Sequence, residues 1–259
     1  MRARHFVLIG TAVVAATCIG NTSSGRTLAA IQESGTIRMC AHPNSLPFAS
    51  RTADPPGFQV ELGEALAKSL DVSLATDWIL ISYQVPRTSC DILLDMIAAP
   101  DYTPDFGIKL SKPYYRSGVA LAVPMGSPIT SFAALNEHTK VGVQTGSVAA
   151  MILDERHVPI SVFGFDDDML AALGDGEIAA AAVSPVSAGY YNLQHPEHRV
   201  VILPAGQAER DLVWNIAVGM RHPDPALQNA INDALVHLQA DGTLQRIYGR
   251  YGVTLQAPQ

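Results

Sequence analysis

The sequence predicts an α/β protein built as two lobes. Short apolar strands alternate with amphipathic helices along its length. A Pro/Gly/Ser break at Pro124-Met125-Gly126-Ser127 restarts the pattern midway. A chain of 259 residues is long enough for two small lobes with sizeable cores. A hydrophobic content of 48% with 16% charged residues suits a globular protein and excludes a disordered one. The formal charge of −7 excludes a general nucleic-acid binder, which needs basic surface to neutralise phosphates. No apolar run reaches the roughly 18 residues of an internal membrane span.

The chain opens with a targeting segment. Arg2 and Arg4 precede an uncharged, apolar run from Phe6 to Ile19, and Thr27-Leu28-Ala29 puts small residues at −3 and −1 of a signal-peptidase site. This spells a secretory signal over residues 1–29. A membrane anchor and a lipoprotein modified at Cys18 are the alternatives. Removing that segment takes away three arginines and no acid, so the formal charge falls from −7 to −10. Export leaves Cys40 and Cys90 as an even pair in an oxidising compartment, at corresponding places on two strands. A disulfide is expected, with two buried thiols as the alternative.

A strand is predicted at 36–41, then a proline-rich loop at 42–56. Phe58, Leu62, Ala65, Leu66 and Leu70 recur at helical spacing, which predicts a helix over 58–70 with an i,i+4 pair of Glu64 and Lys68. Strands follow at 72–76, 91–96 and 117–123. Between them 78–88 is ambiguous, because Pro86 interrupts any helix. After the break, Ser131 can cap a short helix to Leu135. Strands at 140–143, 161–163 and 179–183 alternate with helices beginning after Ser147, at Asp166 and at Ser184-Pro185, where a cap residue precedes Pro at the first helical position. Strands at 200–203 and 213–219 precede a helix from Asp224-Pro225. Its face carries Leu227, Ile231, Leu235 and Leu238; Gly242 breaks it and 244–251 continues.

Catalytic signatures are scarce. There is no GxSxG, GxGxxG, P-loop or HExxH. His195 and His198 have an HxxH spacing but sit in a Pro-containing loop without further ligands, so no metal site is expected. Asp166-Asp167-Asp168 reads as a helix N-terminus preferring negative charge. Thr145-Gly146-Ser147 and Ser184-Pro185 open two helices whose free N–H groups form an anion-binding arrangement, with ordinary capping as the alternative for either alone.

A resemblance adds to this reading. Ser34-Gly35-Thr36-Ile37-Arg38, Leu46-Pro47-Phe48 and Gly57-Phe58-Gln59-Val60-Glu61-Leu62 resemble the opening of bacterial family-3 extracellular solute-binding proteins. Ser111-Lys112-Pro113-Tyr114-Tyr115-Arg116, Lys140-Val141-Gly142-Val143-Gln144-Thr145-Gly146-Ser147 and Ala240-Asp241-Gly242-Thr243-Leu244 continue it in order along the exported chain. The resemblance implies a type II periplasmic-binding-protein fold, two α/β lobes joined by two hinge strands. Lobe 1 would comprise 30–121 and 220–259 and lobe 2 would comprise 122–219, with crossings near 120–123 and 217–220.

The departures are informative. The family's amino-acid binders clamp the ligand carboxylate with an Arg after a lobe 1 strand. Here the stretch 98–107 has no Arg or Lys, and Pro104 stands at that Arg's position. Ser184 replaces the Asp that holds the ligand ammonium, and Ser45 replaces the stacking aromatic. Cys40-Ala41-His42-Pro43-Asn44-Ser45-Leu46-Pro47-Phe48 and Cys90-Asp91-Ile92-Leu93-Leu94-Asp95-Met96 resemble the quinoprotein-dehydrogenase-associated MxaJ/XoxJ branch.

The resulting expectation is a non-enzymatic periplasmic protein, without cofactor or metal, that assists a quinoprotein methanol dehydrogenase. It is a monomer, with no membrane contact once the signal is cleaved, and a small polar ligand stays open. The alternatives are an ABC-transporter receptor for a polar solute and an enzyme of the cyclohexadienyl dehydratase type. The cleft residues expected are Asn44, Ser45, Phe48, Met96, Ile97, Tyr114, Thr145, Gly146, Ser147 and Ser184.

Overall fold

The computed structural model describes residues 25–100 and 102–259. Helix α1 (Leu28–Ser34) leads into β1 (Thr36–Ala41), and the proline-rich loop folds into a small hairpin of β2 (Asn44–Ser45) and β3 (Ala49–Ser50). Helix α2 (Phe58–Ser69), β4 (Ser73–Trp78), β5 (Ile92–Ala98), β6 (Ile108–Leu110) and β7 (Tyr115–Gly118) follow. The chain then passes through β8 (Ala120–Pro124), β9 (Val141–Gln144), α3 (Val148–Glu155), β10 (Ile160–Phe163), α4 (Asp166–Gly174), β11 (Ala180–Val183), α5 (Pro185–Gln194) and β12 (Val200–Pro204). It returns as β13 (Val213–Arg221), α6 (Pro225–Ala240) and α7 (Thr243–Gly249).

Each lobe is organised by one sheet. The first runs β4-β1-β5-β13-β6 with β7 also on β13, and the second runs β10-β9-β11-β8-β12. Two α/β lobes, each built on a mixed sheet with a parallel part of three strands, make this the expected type II periplasmic-binding fold. The helical spacing in α2 is realised: Phe58, Leu62 and Leu66 are buried beneath the helix, against Tyr248 and Tyr251. The second sheet is covered on both faces, by Leu121, Val141, Val143 and Leu153 on one side and Met169, Leu173, Ala181 and Val183 on the other. That double burial is why β11 reads as an unbroken apolar run rather than an alternating one. Cap residues act as the sequence predicts: Ser147, Ser184 and Asp224 accept from Ala150, Val186 and Leu227 amides. Cys40 and Cys90 are bonded, with Cα atoms 5.4 Å apart. No helix among the described residues is long and apolar enough to cross a membrane.

Several expectations are corrected. The strand expected over 117–123 breaks at Val119 into β7 and β8, which belong to different sheets. β13 lies wholly in the first sheet, paired with β5, β6 and β7 along its length. The crossings therefore run through 118–119 and 205–212, not near 120–123 and 217–220, because sheet pairing claims those residues. There the two crossings bond each other: the Val119 amide donates to Leu212 O (2.8 Å) and the Ala205 amide to Val119 O (3.3 Å). The ambiguous stretch after β4 is a short 3-10 turn (Ser82–Arg87) that accommodates Pro86, and the helix expected after Ser131 is only a 3-10 turn (Phe132–Ala134). Helix α1 was not expected, since its first two residues, Leu28 and Ala29, were read as the end of the signal. Residues 1–24 of that signal lie outside the described residues.

Candidate functional site

Strand register fixes where a site can form. β1, β4 and β5 are mutually parallel, so their C-terminal ends share one edge of the first sheet. β13 runs antiparallel to β5 with Asn215 opposite Ala98, so the chain arriving from lobe 2 enters at that same edge. In the second sheet β9, β10 and β11 are parallel. β8 is antiparallel to β11 with Ala120 opposite Val183, and β12 leaves at Pro204 opposite Ala120. Both crossings thus join the edges at which the parallel strands of the two sheets end, and these edges flank an inter-lobe cleft. Open α/β sheets bind ligands beyond the carboxyl ends of their strands.

Nine of the ten expected cleft residues fall on these edges. Asn44, Ser45 and Phe48 follow β1, while Met96 and Ile97 close β5. Thr145, Gly146 and Ser147 follow β9, and Ser184 follows β11. Tyr114 is corrected: it is only 3% exposed and turns into the lobe 1 core. Its place before β7 aims it at Asp95 instead of the cleft.

The lobe 1 edge is held by backbone. The Phe58 and Gln59 amides at the start of α2 donate to Pro47 O and Phe48 O, both at 2.9 Å, so this helix terminus is already satisfied. Gly57 has φ +102°, and a Cβ there would lie 2.5 Å from Phe48 O. Its amide donates to the Tyr251 hydroxyl (2.8 Å), which donates onward to Glu61 (2.6 Å). Burial and then the Glu61 bond push that phenol well above its ordinary range. On the lobe 2 edge the hydroxyls are committed locally. Ser147 and Ser184 cap α3 and α5, and Thr145 donates to Phe163 O (3.0 Å). Ordinary capping accounts for these side chains.

Two carboxylates were not among the expected cleft residues. Asp95, at φ +55°, accepts from Gln59 (2.9 Å), Tyr114 (3.1 Å), Tyr115 (2.9 Å) and Tyr248 (3.2 Å). Burial raises its carboxyl above the usual range, while those four donors pull it back. With every oxygen engaged, Asp95 ties β5 to α2, β7 and α7 and is not poised as an acid or base. An Asp interrupting an apolar run was the signal for it. Asp166 begins α4 at the lobe 2 edge, as the helix-terminus reading required. Burial raises its carboxyl, the Ser187 hydroxyl in the first turn of α5 lowers it, and Asp167 raises it again. A carboxylate therefore stands beside the N-terminus of α5, where Ser184 itself offers no charge.

The rim is apolar on both sides. Leu80, Ile81 and Tyr83 follow β4, with Tyr83 78% exposed, and Phe165 follows β10 at 69%. A cavity of about 740 Å³ opens beside the crossings, between Arg116, Val119, Pro185, Arg210 and the C-terminal stretch at Gly252 and Gln256. None of the ten expected residues lines it. Among the described residues no cluster of three or more His, Cys, Asp or Glu could hold a metal ion.

Comparison with known proteins agrees with this architecture. The profile of the bacterial extracellular solute-binding proteins, family 3, matches residues 37–254. The lysine/arginine/ornithine-binding periplasmic protein of Escherichia coli (strain K12) is 25% identical over 245 residues, covering 90% of this chain and 93% of that protein. The L-cystine-binding protein TcyJ of the same organism is 26% identical over 251 residues, 93% and 91% of the two chains. The solved structure of an ancestral cationic amino acid solute-binding protein matches with a TM-score of 0.75 and 24% identity, over 87% of this chain and 99% of that one.

Proposed function

This chain belongs to the bacterial extracellular solute-binding proteins of family 3, and from that membership we propose that it is the periplasmic receptor of an ABC-type importer, gripping a small polar solute between its lobes. The observation that carries this reading is the pairing of the two C-terminal sheet edges across the crossings. The relatives' printed names, lysine/arginine/ornithine-binding and L-cystine-binding, give the chemical class.

The charges of the cleft refine that class. Stretch 98–107 supplies no cation for a carboxylate, whereas Asp166 supplies an anion beside α5. A charge-assisted bond to a carboxylate is roughly twice as strong as a neutral one. The solute is therefore a small cation, an amine or guanidine, whose positive group meets Asp166. A dehydratase activity would want an acid next to a carboxylate-binding Arg, which that stretch lacks. A thermal-shift screen of polar solutes tests the reading. At about 100 times its dissociation constant a ligand adds roughly 2.7 kcal/mol, a plain rise in melting temperature. A protein whose melting is unmoved by every amine, guanidine and amino acid at millimolar concentration is not this receptor.

The exposed apolar rim at Leu80, Ile81, Tyr83 and Phe165 favours a second reading. Under it the protein assists a quinoprotein methanol dehydrogenase, as the Cys40–Phe48 stretch suggests by resemblance, and its acidity speeds association with a basic partner surface. Retention of the dehydrogenase on immobilised protein at low salt, lost at high salt, supports that reading; no retention at low salt removes it.

A further inference from the structure

The strongest contact of the N-terminal segment lies on the wrong side of the expected signal boundary. Asp91 is 3% exposed. Arg26 meets it bidentately: its Nε donates to Oδ1 (2.9 Å) and its Nη2 to Oδ2. The same guanidinium donates to Thr36 O and to Ser34 Oγ, each at 2.9 Å. Among the described groups only the Arg38 amide (2.8 Å) also serves the Asp91 side chain. The neighbours of Arg26 are equally integrated. Thr27 caps α1 by accepting from the Ala30 amide (3.2 Å), and the Leu28 amide donates to Asp224 Oδ1 (3.2 Å), the same carboxylate oxygen that caps α6. A Cβ on Gly25 would lie 2.0 Å from Arg221 O, so the backbone packs tightly there. Helix α1 then buries Ile31 completely.

Cleavage after Ala29 would cut inside α1, delete its cap and remove the guanidinium that is bonded directly to a buried carboxylate, leaving near Asp91 only the charge of Arg38, which is already paired with Asp77. Breaking a buried pair from one side leaves an uncompensated charge and is strongly destabilising. We infer that the export signal is removed upstream of Gly25, so that residues 25–29 remain with the exported protein and Arg26 is the structural counter-ion of Asp91. The processing site then falls in the small and polar stretch Thr17-Cys18-Ile19-Gly20-Asn21-Thr22-Ser23-Ser24. Thr22 and Ser24 offer small residues at −3 and −1 for a cut before Gly25. The exported chain loses Arg2 and Arg4 but keeps Arg26, and its formal charge is −9 rather than −10.

This inference rests on the export reading, so its test has two arms. In the first, the full chain is expressed with its own leader in a Gram-negative host, and the product is read by intact mass and N-terminal sequencing. The inference expects a first residue between 18 and 25. A product starting at Ala30 overturns it, and an uncleaved chain overturns the export reading with it. The second arm needs no export. Leaderless chains beginning at Gly25 and at Ala30 are purified and melted, with and without Asp91→Asn. The Ala30 chain should melt about 6 °C or more below the Gly25 chain, and Asp91→Asn should narrow that gap or restore folding where the shorter chain fails to fold. Equal melting temperatures, or a gap that Asp91→Asn leaves unchanged, overturn the role of Arg26.

Discussion

Gly118 lies so close to Leu212 that a Cβ added to the glycine would sit 2.1 Å from the leucine carbonyl oxygen. The two residues belong to opposite crossings, and the next residue, Val119, donates its amide to that same oxygen. Gly118→Ala must push the crossings apart. Overpacking of this kind costs about 2 kcal/mol, and urea unfolding should show a lowered midpoint. A variant as stable as wild type would mean that the crossings yield without cost.

The Asp95 cluster makes a prediction with a sign. Burial raises its folded carboxyl above the unfolded value, so the fold binds the proton better than the unfolded chain does. This group's contribution is most favourable below the unfolded value and is lost as pH rises through the folded one. Asp95→Asn mimics the protonated form. It should gain stability relative to wild type as pH rises from 3 to 7, measured by thermal melting at each pH; the opposite trend contradicts the assignment. Asp95→Ala is different, because it strands the hydroxyls of Tyr114, Tyr115 and Tyr248. It should cost about 3 kcal/mol at low pH, from the loss of partners for buried donors, and the cost should shrink as pH rises because wild type itself loses stability there.

The Cys40–Cys90 bridge closes a loop with a sequence separation of 50 residues. The chain-entropy model gives such a loop about 4 kcal/mol at most. Replacing both cysteines with serine should lower the unfolding free energy by no more than that, and alkylation of the unreduced, exported protein should find neither thiol. Two reactive thiols would remove the bridge from the account.

Much of this was legible residue by residue. The spacing of Phe58, Leu62 and Leu66 encodes α2, and Ser147, Ser184 and Asp224 announce their helices, because capping and helical periodicity are local properties. The break at Val119 was not legible. Ser117 to Val123 carries no breaker strong enough to divide it and reads as one strand, and only pairing with two different sheets divides it. Helix α1 was hidden because Thr27-Leu28-Ala29 satisfies a peptidase pattern and a helix cap equally well. Tyr114 misled because its motif places it near the cleft while its hydroxyl is drawn into the core by Asp95, a tertiary contact that spacing along the chain does not encode. Asp166 carried only the signal of a helix terminus; its neighbour Ser187 comes from another element.

On the proposed reading the cleft holds a small cation by Asp166, and the stretch 98–107 offers no Arg or Lys to clamp a carboxylate. Calorimetric titration with paired solutes tests it most directly: arginine against agmatine, and lysine against cadaverine, each into wild type and Asp166→Asn. At least one amine should bind as tightly as its parent amino acid, and Asp166→Asn should weaken both by about tenfold or more, the equivalent of one charge-assisted bond. Binding of an amino acid but not of its amine, or binding untouched by Asp166→Asn, would contradict it.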